Sequence, residues 1–265
     1  MAKVLISRNS EARIYKRVDA DGTESIVKES ANAFLLQSEA MMLEYLRPYI
    51  RVPKVFSCDN GVLVMEFIPN DPALPLRCEK EIAERLAHLH EQSSPTFGFE
   101  CDTTIGPFRQ INPQYTRWID FYREARVLDF AGKALDEGRI DAALHCRIER
   151  FAADFETFLR EPERPALLHG DIWGGNVLTQ NGHFAAVIDP ALYYGHYEME
   201  LAFIGMFHTF SDAFYRRYDE LRPIAADFFE LRAPIYRIFP YLVHIRAFGS
   251  GYISGLESIL RRYGY

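Results

Sequence analysis

Between residues 167 and 190 two apolar runs each end in an acidic turn. Leu167-Leu168 leads into His169-Gly170-Asp171, Asn176 follows five residues after that Asp, and Ala186-Val187-Ile188 leads into Asp189-Pro190. Short apolar runs bounded by turn residues are consistent with buried strands. Any fold that buries both must present Asp171, Asn176 and Asp189 at the ends of those strands. That arrangement suits phosphoryl transfer, in which one carboxylate orients the attacking hydroxyl while an amide oxygen and a second carboxylate hold Mg²⁺ against nucleotide phosphates. Polar turns between buried strands occur in many α/β proteins. These three residues in this order and spacing favour a kinase catalytic loop. Asp171 is then the candidate base, and Asn176 and Asp189 are the candidate Mg²⁺ ligands.

A chain of 265 residues can form one large domain or two modest ones. No apolar run approaches the roughly 20 residues a membrane helix needs. The start, Met1 to Arg8, has too short an apolar core for a signal peptide, so a cytoplasmic location and no membrane partner are expected. The formal charge of −7 argues against a nucleic-acid partner, which calls for a basic face. Cys58, Cys78, Cys101 and Cys146 have no paired spacing that suggests zinc, and reduced thiols are expected.

Residues 4–30 read as three short strands, with Asp21-Gly22 as a turn before Ser25-Ile26-Val27-Lys28. On its own Lys28 reads as an exposed strand lysine. The next segment changes that reading. Ala33 to Leu46 has helical periodicity, and Glu39 lies in its middle, eleven residues after Lys28. A helix directly after the lysine strand can aim Glu39, in preference to Glu44, at an ammonium held over the α- and β-phosphates. After the Asn60-Gly61 turn, Val62 to Ile68 reads as a buried strand that emerges at Pro69-Asn70-Asp71-Pro72. Backbone groups of Glu66 and Ile68 are placed to bond an adenine ring. Pro69 to Pro75 is the candidate boundary, giving a nucleotide-binding lobe over residues 1–70 and a catalytic and substrate-binding lobe over 71–265.

Glu79 to Glu91 is amphipathic, and His88 and His90 on it are expected at its surface or in packing rather than on a metal. Residues 93–113 read as an irregular segment, the kind of long loop that often carries function. Tyr115–Leu135 and Asp141–Leu159 read as long helices, and Tyr197–Phe210 as a buried one. The expected fold class is α+β: a protein-kinase-like two-lobe fold with a small antiparallel sheet, a larger mainly helical lobe, and the site in the cleft. About a dozen residues separate Asp189 from Glu200. That leaves no room for a long peptide-docking segment and favours a small-molecule acceptor.

Leu168-His169-Gly170-Asp171-Ile172-Trp173-Gly174-Gly175-Asn176, with Ile188-Asp189-Pro190-Ala191, resembles the aminoglycoside-phosphotransferase-like kinases. The continuation Tyr194-Gly195-His196-Tyr197-Glu198-Met199-Glu200 is similar to the fructosamine (ketosamine) 3-kinase branch. So are Thr104-Ile105-Gly106-Pro107 with Gln110 and Asn112, and Phe248-Gly249-Ser250-Gly251-Tyr252. The resemblance implies ATP- and Mg²⁺-dependent phosphorylation of the 3-hydroxyl of a ketosamine, on a small glycated amine or a glycated lysine, with recovery of the free amine. By motif position, Lys28, Glu39, Asp171, Asn176 and Asp189 take the roles argued above. Trp173 and His196 fall beside the site as substrate contacts, Trp173 either stacking on the sugar or packed, and Glu198 and Glu200 are candidates to brace the loop. One departure concerns Ser7-Arg8-Asn9-Ser10-Glu11, which has no glycine where the family's nucleotide loop is usually glycine-rich. Side chains such as Ser10 would then meet phosphate. Two other readings stay open: an aminoglycoside- or choline-type kinase, with Asp219-Glu220 and Asp227-Glu230 as an acidic wall, and a non-catalytic nucleotide-binding pseudokinase.

Overall fold

The computed structural model describes residues 2–8 and 11–265. Its N-terminal part is a five-stranded antiparallel sheet in the order β1-β2-β3-β5-β4. The strands are β1 (Ala2–Arg8), β2 (Arg13–Val18), β3 (Glu24–Glu29), β4 (Val55–Asp59) and β5 (Val62–Glu66). Asn60 and Gly61 both adopt positive φ, as a two-residue hairpin turn requires, and so connect β4 to β5. Between β3 and β4 lies helix α1 (Ala33–Leu46), which buries Leu36, Met42, Leu43 and Leu46 against the sheet. β1 is an exposed edge strand, whereas Val27 and Lys28 of the central β3 are buried. Leu63, Val64 and Met65 of β5 are buried as well, but the strand stops at Glu66 rather than running to Ile68.

From residue 67 a linker leads to α2 (Leu76–Leu89). It is fastened to the later segment Val177–Gln180 by Asp71 N on Thr179 O (2.8 Å) and Thr179 N on Asn70 Oδ1 (2.8 Å). Residues 93–113 are more ordered than their composition suggests, because β6 (Thr103–Ile105) and β7 (Phe108–Gln110) form a hairpin. A continuous helical stretch follows as α3 (Trp118–Phe121), a π-helical segment (Tyr122–Leu128) and α4 (Asp129–Asp136). Next come α5 (Ala142–Ala153), whose N-terminus is capped by Asp141, and α6 (Phe155–Phe158).

Two small antiparallel pairs then carry the motif stretch. β8 (Ala166–Leu168) pairs with β11 (Tyr193–Gly195), and β9 (Val177–Gln180) with β10 (His183–Val187). The remainder is helical: α7 (Tyr197–Ile204), α8 (Asp212–Leu221), a π segment (Phe228–Arg232), α9 (Ala233–Tyr236), α10 (Ile238–Phe248) and α11 (Ile253–Arg262). Helix α7 ends at Gly205 instead of continuing to Phe210. Among the described residues, no helix is long and apolar enough to cross a membrane. One apolar core runs from α1 through β8 and β11 to α11, so both ends of the site rest on it.

Candidate active site

Lys28 projects from the central strand of the sheet and is only 7 % exposed. Its Nζ lies 2.6 Å from Glu39 Oε1 and also pairs with Asp189 Oδ1. Burial alone penalises the ammonium, but the carboxylates of Asp189 and Glu39 outweigh it and hold the lysine pKa above its ordinary value. On Glu39 burial dominates and raises its pKa, opposed by Lys28.

The loop between β8 and β9 carries Asp171. Burial first, then the negative charge of Asp189, push the Asp171 carboxyl up to about 7. Asn176 donates from Nδ2 to both Asp171 O and Asp171 Oδ2, each at 2.9 Å. Its amide nitrogen being spent on Asp171, the atom it can offer a cation is Oδ1. Asp189 closes the second loop with φ +54°, an uncommon conformation for a residue other than glycine. Two backbone bonds tie the loops together: Ile188 N to Asn176 O (3.0 Å) and Ala191 N to His169 O (2.8 Å). Gly170 has φ +86°, and a Cβ there would stand 2.2 Å from Ala191 O.

Among the described residues, no group of three or more His, Cys, Asp or Glu could cage a metal. One amide and one carboxylate oxygen instead fit Mg²⁺, which keeps several waters and takes its remaining ligands from substrate phosphates. A cavity of about 600 Å³ opens in front of Lys28, Asp171, Asn176 and Asp189. Its lining includes a contiguous aromatic cluster of Trp173, Phe203, Phe207, His244, Phe248 and Tyr252. Trp173 is 43 % exposed, with its ring 6.4 Å from Phe207. His244 Nδ1 donates to Pro240 O (2.8 Å), since a carbonyl only accepts, so Nδ1 carries the hydrogen.

The structure does not bring every expected residue here. His196 is 5 % exposed and lies away from the cavity, among Trp118, Tyr197 and Tyr236, so its expected substrate contact is corrected. Its Nδ1 accepts from Glu198 N (3.1 Å) and caps α7 instead. Glu66 and Ile68 do not line the cavity, and the Glu66 carboxylate is held by Arg51 and the Lys54 amide. Ser10 and Asn9 lie outside the described residues.

Of the two glutamates expected to brace the loop, Glu200 is the one that bonds it. Glu200 accepts from Gly170 N (2.6 Å) and His169 N (3.2 Å), and its Oε2 also meets His90 Nε2 (2.8 Å). Bonds from His90 and Gly170 overcome burial and keep the Glu200 pKa below the ordinary glutamate value. His90 Nδ1 in turn meets Tyr218 OH at 2.6 Å, while His88 is solvent-exposed. Glu198 forms a buried two-point pair with Arg232 (2.8 and 2.7 Å). The expected brace at Glu198 and Glu200 is the part of this network legible in the sequence, and their partners His90, Tyr218 and Arg232 are what sequence reasoning missed.

A sheet-borne Lys–Glu pair facing an acidic loop and a second acidic turn defines a phosphotransferase of the kinase-like fold. A ternary complex of the aminoglycoside phosphotransferase APH(4)-Ia has the same fold, with TM-score 0.68 at 18 % identity over 99 % of this chain and 94 % of that one. The family model described as fructosamine kinase matches residues 15–264, and the chain belongs to that family. It is 34 % identical to a chloroplastic protein-ribulosamine 3-kinase of Arabidopsis thaliana, over 86 % of this chain and 72 % of the relative. A crystal structure from Thermobifida fusca, provisionally described as a fructosamine-3-kinase, superimposes with TM-score 0.90 at 30 % identity, covering 98 % and 92 % of the two chains.

Proposed function

We propose that this chain is a ketosamine 3-kinase that uses ATP and Mg²⁺ to phosphorylate the 3-hydroxyl of a sugar joined to an amine, so that the unstable product releases the amine. The observation that carries the reading is the cavity itself. Lys28, Glu39, Asp171, Asn176 and Asp189 meet in it beside a cluster of aromatic residues, and among the described lining residues the one further carboxylate is that of Glu11.

In this reading Lys28 pairs with the α- and β-phosphates, and Glu39 holds the ammonium in place when Asp189 is recruited elsewhere. Asp171 accepts the proton of the acceptor hydroxyl; such a base contributes about 10²–10⁴-fold. Asn176 Oδ1 and the Asp189 carboxylate would hold Mg²⁺, which supplies charge neutralisation at the phosphates when bound. Trp173 offers a face for the sugar. The Glu66 N–H is donated to Lys54 O (2.9 Å), so the adenine is served by the backbone carbonyl of Glu66 and the backbone of Ile68. Residues 1–70 form the nucleotide lobe and 71–265 the catalytic and acceptor lobe. The substrates are small glycated amines or glycated lysines, and the site of action is the cytoplasm.

A polycationic aminoglycoside would need carboxylates on the acceptor side. The acidic residues that might supply them are engaged elsewhere: Glu220 pairs with Arg217, Asp227 with Arg160 and Arg232, and Glu230 with Arg262. The complete Lys–Asp–Asn–Asp set weighs against a pseudokinase. An ATP-consumption screen over fructosamines, ribulosamines, erythrulosamines, aminoglycosides and choline, with the product mapped by phosphorus NMR, tests the proposal. Phosphate on the 3-hydroxyl of a ketosamine is the expected result. Phosphate on an aminoglycoside or choline but on no ketosamine would overturn it.

A further inference from the structure

The hairpin β6–β7 carries the family-like residues Thr104 to Pro107 and Gln110, with Thr103 just before them and Asn112 just after, and the roles assigned so far use none of their polar side chains. Thr103 and Gln110 are fully buried and Asn112 is nearly so, a costly placement for polar groups unless each bond is made. Thr103 Oγ1 donates to Leu192 O (3.1 Å) and accepts from Gln110 Nε2 (2.9 Å) and Asn112 Nδ2 (2.9 Å). Gln110 Nε2 also donates to Ala191 O (3.1 Å). Asn112 Oδ1 accepts from Arg126 Nη2 (2.6 Å), and that buried guanidinium lies 4.0 Å over the Tyr193 ring.

Two of these bonds end on the carbonyls of Ala191 and Leu192, and the Arg126 guanidinium covers Tyr193, all in the segment directly after Asp189-Pro190. Ala191 is held from the opposite side through its N–H to His169 O. A left-handed Asp189 persists only where its surroundings over-determine it. The hairpin also reaches the lysine partner. Thr104 Oγ1 meets Ser38 Oγ (3.4 Å) on α1, one residue before Glu39, and the Arg109 guanidinium sits over Phe34 of the same helix.

We propose that Thr103 and Gln110 are positioning residues for Asp189, acting through the carbonyls of Leu192 and Ala191, and that their hairpin straps the Glu39 helix to the Asp189 turn. They touch neither nucleotide nor acceptor. The proposal rests on the assignment of Asp189 to the cation made above.

Thr103→Val keeps the side-chain shape and removes the hydroxyl, Thr103→Ser restores it, and Gln110→Met removes only the amide. Nucleotide affinity of each full-length variant is measured by calorimetric titration of an ATP analogue in Mg²⁺ and in EDTA, beside melting temperature and the Mg²⁺ dependence of turnover. Residues that orient a metal ligand typically change metal affinity by about 10–100-fold. Thr103→Val and Gln110→Met should therefore lose about tenfold of the Mg²⁺-dependent tightening while binding in EDTA stays within about twofold, with Thr103→Ser close to wild type. If melting falls but the Mg²⁺-dependent gain matches wild type, the strap is structural only and the inference is overturned; Gln110→Met decides this should Thr103→Val not fold. A wild-type protein whose nucleotide affinity ignores Mg²⁺ would overturn both this inference and the kinase reading, whereas Mg²⁺-dependent binding with no ketosamine turnover would remove only the acceptor assignment.

Discussion

Asp171 has the properties of a base held in reserve: half-buried, raised toward neutrality, and aligned by Asn176. Replacing it with Asn keeps the shape and the bond partner but removes the proton acceptor. Asp171→Asn should lower kcat by about 10² or more with nucleotide affinity little changed, as checked by steady-state kinetics beside a binding titration. Near-normal turnover would take Asp171 out of the mechanism. His196 makes a different residue-scale prediction. Burial, then Arg232, push its pKa down to about 3, whereas an unfolded histidine titrates near 6.5. Below that pH the unfolded chain binds a proton that the folded chain refuses, so stability falls as pH falls. The slope for one such histidine approaches about 1.4 kcal/mol per pH unit. In His196→Asn, which retains a capping side chain without a titrating ring, the drop in urea midpoint between pH 6.5 and 5 should be shallower than in wild type.

At the scale of the element, the catalytic loop is a junction between strands rather than a free turn. Glu200 from α7 holds the amides of His169 and Gly170, His90 from α2 backs Glu200, and the Ala191 backbone closes the other side. The tightest point is Gly170. A methyl there meets backbone oxygen at 2.2 Å and demands a left-handed φ, so the loop must move. Gly170→Ala should cost about 1–3 kcal/mol of stability and should displace Asp171 enough to reduce kcat by more than the melting shift explains. Thermal unfolding and kinetics on the same preparation separate the two effects. Strands of three residues such as β6, β7 and β8 carry too few side chains to show a period. That is why residues 93–113 read as irregular although they hold a hairpin, and why α7 read too long across Gly205.

At the scale of the molecule, Lys28 in the sheet and Asp189 beyond the helices face the same cavity, so a bound nucleotide would bridge both parts of the chain. Nucleotide present at 100 times its Kd should stabilise the fold by about 2.7 kcal/mol. For a chain of this size that is a melting increase of roughly 5–10 °C. EDTA should remove most of that gain in wild type, and Asp189→Asn should abolish its Mg²⁺-dependent share; an Mg²⁺ effect that survives in Asp189→Asn would show that the cation is held elsewhere.

Local relations along the chain were legible in the residues themselves. Lys28 and Glu39 lie on a strand and the helix that follows it, and Asp171 and Asn176 share one loop, so spacing and periodicity suffice to pair them. Helix α1 coincides with its periodic stretch. What no spacing could tell is which way a side chain faces once distant elements pack. His196 sits among cavity-like neighbours in sequence yet turns into the core, and His90 finds Glu200 and Tyr218 at separations of 110 and 128 residues. The same holds for the opening motif. Two acidic turns are written in residues 167–190, but the left-handed Asp189, the glycine pressed against Ala191 and the hairpin bonded behind them exist only when strands β8 and β11 pair and the segment 103–112 closes over their joint. Backbone conformation at such a point is set by contacts from elsewhere in the chain, and those contacts form only on folding.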